Sequence, residues 1–393
     1  MQTRGGPDRC DCARLRLSLA SNLHELKGWY VQQVSIPLTE RRPEAEGNEK
    51  EVLVMIAQYM TKHWHRAAVG ALLLALPAFA SPAAAEDKAA ILLPGSINDQ
   101  SWNALGYAIL KSLEPRGFKT AYTENVSDAD EAEALRDYAR QGFNIVMGHS
   151  GRFVSAMEQV GPDFSKTQFI AVSGNEGKPP NVMSIDWNNA QFGCQIGTLA
   201  ARMSKTQKVA GVYGLQGVPN ITAQAGGFRI CATKAGAEVT ILYIKDMEDA
   251  AQAKEAALSL IAQGADVITG KLNAGVTGLV QAAKEKNVYV TGRGFDQTKI
   301  SPNLVLTNIV EDWPAMFGST ADQVKTGKLF GTFVQYGYDT APVTGAKLAY
   351  AEGKEFNPAV PANVVEELHD MAAQFGSGKL KVEPTKNDAR SGR

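Results

Sequence analysis

From Lys88 to Phe375 the chain repeats one pattern without a break: a short apolar run, a polar or glycine-containing corner, then a longer stretch with apolar residues at helical spacing. Such alternation restricts the fold to α/β architecture with parallel sheets, because each strand is followed by a crossover that carries the chain back to the same edge. The strand-like runs are Lys88–Leu93, Phe118–Glu124, Phe143–Gly148, Gln168–Val172 and Val182–Trp187, with helical patterns over Ala129–Gln141 and Arg152–Val160. Ala190–Met203 is predicted to be a helix, ended by the polar Ser204–Gln207, where the first passage between two lobes is expected. The series then restarts. Strands are predicted over Lys208–Leu215, Glu238–Ile244, Asp266–Thr269, Val288–Thr291 and Leu304–Val310, and helices over Ile221–Lys234, Ala250–Gln263 and Val276–Lys286. Asp312 can cap a further helix, with Pro314 in its first turn. The two series share element order and loop length, so two lobes of one architecture are expected. The expected boundaries put residues 86–206 and 311–330 in the first lobe and 207–310 and 331–393 in the second, with a last helix over Ala362–Phe375.

A chain of 393 residues, 44% hydrophobic and 21% charged, can bury two ordinary cores. A formal charge of −1, with no Lys/Arg cluster in the folded part, argues against nucleic acid as a partner. Met60–Ala85 has the layout of a secretory signal peptide: Lys62, His65 and Arg66, an apolar run over 67–80, and the small residues Ala83–Ala85 before Glu86. That run is short for a membrane span. The expectation is that Met60 is the true start and that residues 1–59 are an upstream extension; the alternative is an internal anchoring segment at 67–80. After cleavage two cysteines remain, Cys194 and Cys231, both inside helical patterns. They are expected to be separate buried thiols, because the pattern puts them in different lobes.

The corner Pro94-Gly95-Ser96-Ile97-Asn98-Asp99-Gln100-Ser101-Trp102-Asn103 follows the first strand and opens the first helix. Ser101 can cap that helix. In open α/β sheets ligands bind outside the carboxyl ends of strands, so Asp99, Trp102 and Asn103 are candidates for one edge of a site. Trp102 also shares a helix face with Leu105 and Ile109, which would make it an ordinary core residue. The other corners at strand ends are Gly148-His149-Ser150, Ser173-Gly174-Asn175, Gly270-Lys271-Leu272-Asn273 and Gly292-Arg293-Gly294-Phe295-Asp296-Gln297.

The Asp-x-Ser-Trp-Asn corner, with Gly106 just beyond, resembles that of the basic membrane protein family, the PnrA-like substrate-binding proteins of ABC importers. The similarity in layout runs from about Lys88 to about Glu383. The resemblance implies a type I periplasmic binding fold, two Rossmann-like lobes joined by a three-strand hinge and closing on ligand. It implies a membrane permease as partner, a small purine-like ligand, no cofactor, and a monomer in the periplasm. Many relatives carry a lipid-bearing amino-terminal cysteine, and none is seen here. Gly148 and Ser150 sit where family members have a glycine-rich turn on the ligand, and His149 could donate to a ring nitrogen or carbonyl. Asn273 matches a polar position of relatives, and Arg293 and Asp296 lie in a segment similar to the family's Gly-x-Asp-x-Asp. The departures are specific: Gly294 stands where the ribose-gripping Asp is expected, Glu311 where nucleoside binders have Lys, and no carboxylate occupies the Ser173 corner. A free purine base is therefore expected in preference to a nucleoside, with Trp102 and Trp313 as the aromatic pair.

Catalytic signatures are missing from the sequence: there is no Gly-x-Ser-x-Gly elbow, His-Glu-x-x-His or Walker motif. A binding protein for a sugar, amide or amino acid remains an alternative, as does, more remotely, a soluble α/β hydrolase acting on bases.

Overall fold

The structure, a computed structural model, describes residues 86–99 and 102–393, together with Val54. The upstream segment and the signal-peptide reading of 60–85 lie outside the described residues, as does the cap expected of Ser101.

The strands form where apolar runs can be buried on both faces, which is the condition of a parallel sheet covered by helices. The first series is β1 (Lys88–Leu92), α1 (Trp102–Leu113), β2 (Lys119–Thr123), α2 (Glu131–Arg140), β3 (Ile145–Gly148), α3 (Val154–Val160), β4 (Gln168–Val172) and β5 (Val182–Trp187). The second is α4 (Asn189–Met203), β6 (Lys208–Tyr213), α5 (Pro219–Lys234), β7 (Glu238–Tyr243), α6 (Ala250–Ala262), β8 (Val267–Lys271), α7 (Val276–Lys286), β9 (Tyr289–Arg293) and β10 (Val305–Glu311). The chain then adds α8 (Trp313–Lys325), β11 (Phe333–Tyr336), β12 (Ala346–Ala349) and α9 (Ala362–Gly376). As the sequence suggested, Asp312 caps α8 by accepting from the Ala315 amide, with Pro314 in the first turn.

Two sheets result, in the orders β11-β5-β4-β3-β1-β2 and β12-β10-β9-β8-β6-β7. Each strand of the first has its counterpart at the same place in the second. Pairing is parallel throughout except for β12, which runs antiparallel to β10. The two-lobed α/β architecture read from the sequence is therefore the one observed, and the chain passes between the sheets three times, after β5, after β10 and after β11. β12 was not anticipated: Ala346–Ala349 is four residues long and has only one neighbour, so its strand character comes from β10 and not from its own pattern.

Two of the expected boundaries move. Residues 331–336 do not return to the second lobe, because Phe333–Tyr336 pairs with Ser184–Trp187 at the edge of the first sheet. The first passage comes at Trp187–Asn189 and not at Ser204–Gln207, because α4 packs on α5 and touches β6 and β8 of the second sheet. Glycines make that packing possible. A Cβ on Gly193, Gly197 or Gly227 would stand 2.3, 2.3 and 2.4 Å from a backbone carbonyl of the facing helix, so the helices approach backbone to backbone. The same closeness overturns the expectation of two separate thiols. Cys194 on α4 and Cys231 on α5 are joined in a disulfide, with Cα atoms 5.0 Å apart, buried against Phe375 of α9. The misreading followed from placing α4 in the wrong lobe.

The disulfide closes a loop between residues 37 apart in sequence. Chain entropy assigns such a cross-link roughly 2–4 kcal/mol. Reduction, or the double substitution Cys194→Ala/Cys231→Ala, is expected to lower unfolding free energy by about that amount in denaturant titrations. In the chain from Glu86 onward, which holds only Cys194 and Cys231, a free-thiol count of two in the unfolded, unreduced protein would contradict the pairing.

Candidate functional site

At the end of β1 the chain turns through a loop that its own side chains hold in shape. The Asp99 carboxylate accepts from the Asn103 and Ala104 amides at 2.8 and 3.0 Å and from Asn103 Nδ2 at 2.8 Å, so it caps the first turn of α1. Asn103 Oδ1 accepts from the Gly95 amide at 3.0 Å. This fastening sets the direction of Trp102, the first residue of α1.

Trp102 and His149 clasp one another. The indole Nε1 donates to the His149 carbonyl at 3.0 Å, and His149 Nε2 donates to the Trp102 carbonyl at 2.6 Å. Their rings stack at 4.0 Å with 22° between planes. Trp313 meets the indole edge-on, 5.7 Å away at 77°. Trp102 stays partly exposed, with His149 beneath it and Trp313 beside it.

The indole borders a cavity of about 690 Å³ between the two sheets. Of the residues singled out in the sequence, Trp102, Asn103, Ser150, Asn273 and Arg293 line it. A smaller cavity of about 310 Å³ shares Trp102, Asn273 and Arg293 and takes in Asp99. The other four candidates border neither. His149 is fully buried and acts as the support under Trp102. Trp313 is also buried and gives its Nε1–H to Glu311 at 2.7 Å, so it braces the indole and does not face it across the gap. Gly148 is needed for packing, since a Cβ there would come within 2.4 Å of Phe153. Asp296 accepts from the Thr298 amide at 2.9 Å, from Thr298 Oγ1 at 2.6 Å and from Asn308 Nδ2 at 3.3 Å, which is the turn-capping role.

The floor of the larger cavity holds Arg293 together with Lys271 and Asp186, of which Asp186 was not singled out in the sequence, and Glu311 pairs with Arg293 behind that lining. Asp186 is the penultimate residue of β5, while Lys271, Arg293 and Glu311 end β8, β9 and β10, and all four are at most 7% exposed. Arg293 pairs with Glu311 at 2.7 Å. Lys271 Nζ donates to Asn189 Oδ1 at 2.6 Å, and Asn189 Nδ2 donates to Asp186 Oδ2 at 3.2 Å. Burial raises the Asp186 carboxyl to about 6 against the pull of Lys271. Burial, with Arg293 adding repulsion, lowers the Lys271 ammonium to about 7. Across the gap Asn220 of α5 donates to Ser173 Oγ at 2.5 Å, and Ser173 Oγ donates to Asp186 at 3.3 Å. A carboxylate thus does reach the Ser173 corner, supplied by the neighbouring strand. The sequence signal was an ionisable residue at or next to the end of a mostly apolar run, in Val182–Trp187 and again in Val267–Lys271.

Two α/β lobes of matching strand order, joined by three crossings and flanking a cavity at the strands' carboxyl ends, define a two-lobed substrate-binding protein. The chain belongs to the PnrA-like family of ABC transporter substrate-binding proteins, whose sequence model matches residues 86–360. It is 27% identical over 268 residues to a purine-binding protein of Brucella abortus, covering 67% of this chain and 72% of that one. It is 26% identical to the ABC transporter nucleoside-binding protein BmpA of Lactococcus lactis, over 63% of this chain and 78% of the other. A relative with a different name, the transcriptional activator protein med of Bacillus subtilis, is 26% identical over 65% of this chain and 81% of its own. Among solved structures, an ABC transporter solute-binding protein of Conexibacter woesei shares the fold with a TM-score of 0.61 and 23% identity, covering 76% of this chain and 99% of that one.

Desolvation holds His149 at about 4, below its ordinary 6.5, so the unfolded chain binds this proton more tightly than the folded one. Its contribution to stability is complete above about pH 6.5 and is lost as pH falls toward 4, a change on the order of 3 kcal/mol. Thermal melts at pH 7.5 and 4.5 are expected to differ less for His149→Gln than for the unmodified protein. An equal acid sensitivity in both would remove His149 from the account.

Proposed function

We propose that the protein is the exported, periplasmic receptor of an ABC importer, and that it captures a flat purine-like ligand, a free base in preference to a nucleoside, between two closing lobes for delivery to a membrane permease. Export through a cleaved leader at 60–85 and a monomeric state belong to the same reading. The observation that carries it is the Trp102 indole, held from below and from the side and bordering the cavity between the sheets. A π face fixed in this way offers stacking with little side-chain entropy left to lose. Apolar neighbours in the lining, among them Leu215, Ile221, Met247 and Phe333, suit the rest of a flat ring. The cavity's size lies in the range of small-molecule sites. The preference for a base rests on Gly294 and Glu311, which stand where the sugar-binding Asp and Lys of the nucleoside binders would be. Glu311 is also engaged by Arg293 and Trp313. The named activities of the Brucella and Lactococcus relatives support a purine or nucleoside as the ligand class.

Calorimetric titration with purine bases, nucleosides, sugars and amino acids tests this. Saturable binding of a purine base is expected, tighter than that of its nucleoside. Trp102→Ala is expected to lose ~1–3 kcal/mol of binding, roughly 5- to 150-fold in Kd, and Trp102→Phe to keep most of the affinity. Binding of sugars or amino acids alone would exclude the purine reading while leaving the family intact.

A further inference from the structure

Three charged groups on the cavity floor are each confined to one hydrogen-bonding role. In their charged forms Lys271 and Arg293 only donate and the Asp186 carboxylate only accepts. Their order in space is fixed by the fold. Asn189 holds Lys271 at its carbonyl end and Asp186 at its amide end, while Arg293 lies on the strand beside Lys271, at the same carboxyl edge of the sheet. Lys271 therefore stands between Arg293 and Asp186. All three border the cavity of Trp102.

Each also has capacity left. Asn189 takes one of the three hydrogens of the ammonium, which also lies over the Trp187 ring at 4.4 Å. Arg293 uses NH1 on the Leu272 carbonyl and NH2 on Glu311, and its Nε–H has no acceptor among the described residues although the side chain is only 7% exposed. Asp186 Oδ2 accepts from Asn189 and, at 3.3 Å, from Ser173, and Oδ1 accepts only from the Trp187 amide at 2.8 Å among the described residues, which leaves it a second lone pair.

We propose that Arg293, Lys271 and Asp186, in that order, read an acceptor–acceptor–donor edge of the ligand, and that the cargo is therefore a 6-oxopurine and not a 6-aminopurine. This rests on the purine reading above and narrows it. Along one edge a 6-oxopurine presents N7, O6 and N1–H, which are acceptor, acceptor and donor. A 6-aminopurine presents acceptor, donor and acceptor over the same positions. That series reads the same from either end, so turning the ring over still sets its amino group against the ammonium. Asn189 already shows the pair gripping an amide, with C=O on Lys271 and N–H on Asp186, which is the pairing a lactam edge would offer. A buried donor left facing another donor forfeits its hydrogen bond, so sites of this kind discriminate strongly.

The test is calorimetric titration of the exported chain, freed of bound ligand by unfolding and refolding, with hypoxanthine, guanine, adenine and 1-methylhypoxanthine. Hypoxanthine and guanine are expected to bind at least about tenfold more tightly than adenine, and methylation at N1 to cost a similar factor. Lys271→Met is expected to bring hypoxanthine and adenine to within about threefold of each other. Adenine binding as tightly as hypoxanthine, or full tolerance of the N1 methyl, would overturn the proposal while leaving the purine reading in place. These two comparisons need only the unsubstituted protein, so they hold if Lys271→Met does not fold. Heat with no purine would remove the purine reading and this inference with it.

Discussion

Four ionisable side chains lie at or next to the carboxyl ends of four buried strands and meet where the two sheets come together. Asp186 comes from the first sheet and Lys271, Arg293 and Glu311 from the second. Taking such groups out of water costs several kcal/mol per ion, and only well-placed partners offset it. Arg293 and Glu311 find each other within one sheet, but Lys271 and Asp186 are linked through Asn189, which stands just after the first crossing. Glu311 of the same sheet also attracts Lys271, but the link from Lys271 to Asp186 holds only while the lobes keep their relation to one another. The close packing of α4 on α5 positions the amino-terminal end of α4, and Asn189 with it. The glycines and the disulfide between these helices thus serve the cavity floor from a distance.

The opposite wall is built by different means. Trp102 is an apolar platform with both of its polar commitments met locally, since its indole N–H and its backbone carbonyl are both bonded to His149. Burial keeps the histidine neutral, and its single ring proton lies on Nε2, where it is given to that carbonyl. A platform of neutral rings beside a floor of compensated charges gives one cavity two kinds of recognition: stacking that accepts any flat ring, and hydrogen bonding that discriminates among them. The hydrogen bond from Asn220 to Ser173 spans the gap beside the floor and connects the second lobe to the Asp186 carboxylate, so the polar part of the site is shared between the lobes. A ligand contacting both would favour the arrangement in which they are close.

The regular elements were legible because their cause is local. The apolar runs of β3, β4, β5 and β8 are buried throughout, and burial on both faces leaves a continuous hydrophobic signature that a sequence displays directly. The cap of α8 was legible for the same reason, as Asp312 and Pro314 act within one turn. β12 was not, because a four-residue edge strand owes its conformation to the partner beside it. The site divided along similar lines. Trp102 and Asn103 stand at a corner whose chemistry is visible in ten consecutive residues. Trp313 was expected to pair with the indole, but its side of it was mistaken, and His149, expected to donate to a ligand, supports the indole instead. Whether an aromatic ring faces a partner across a gap or supports it from behind depends on the packing of α1, α8 and the loop after β3, none of which is a property of adjacent residues.

By itself the sequence determined the α/β class, the doubling into two similar lobes, the family, and one wall of the cavity, since all of these follow from patterns repeated along the chain or confined to a single corner. Only the tertiary structure decided that α4 belongs with the second lobe, that Cys194 and Cys231 are bonded, and that Asp186 and Lys271 face the same space. Those facts are contacts between residues from 31 to 85 positions apart, set by which surfaces fit when the elements pack, and no local spacing encodes them.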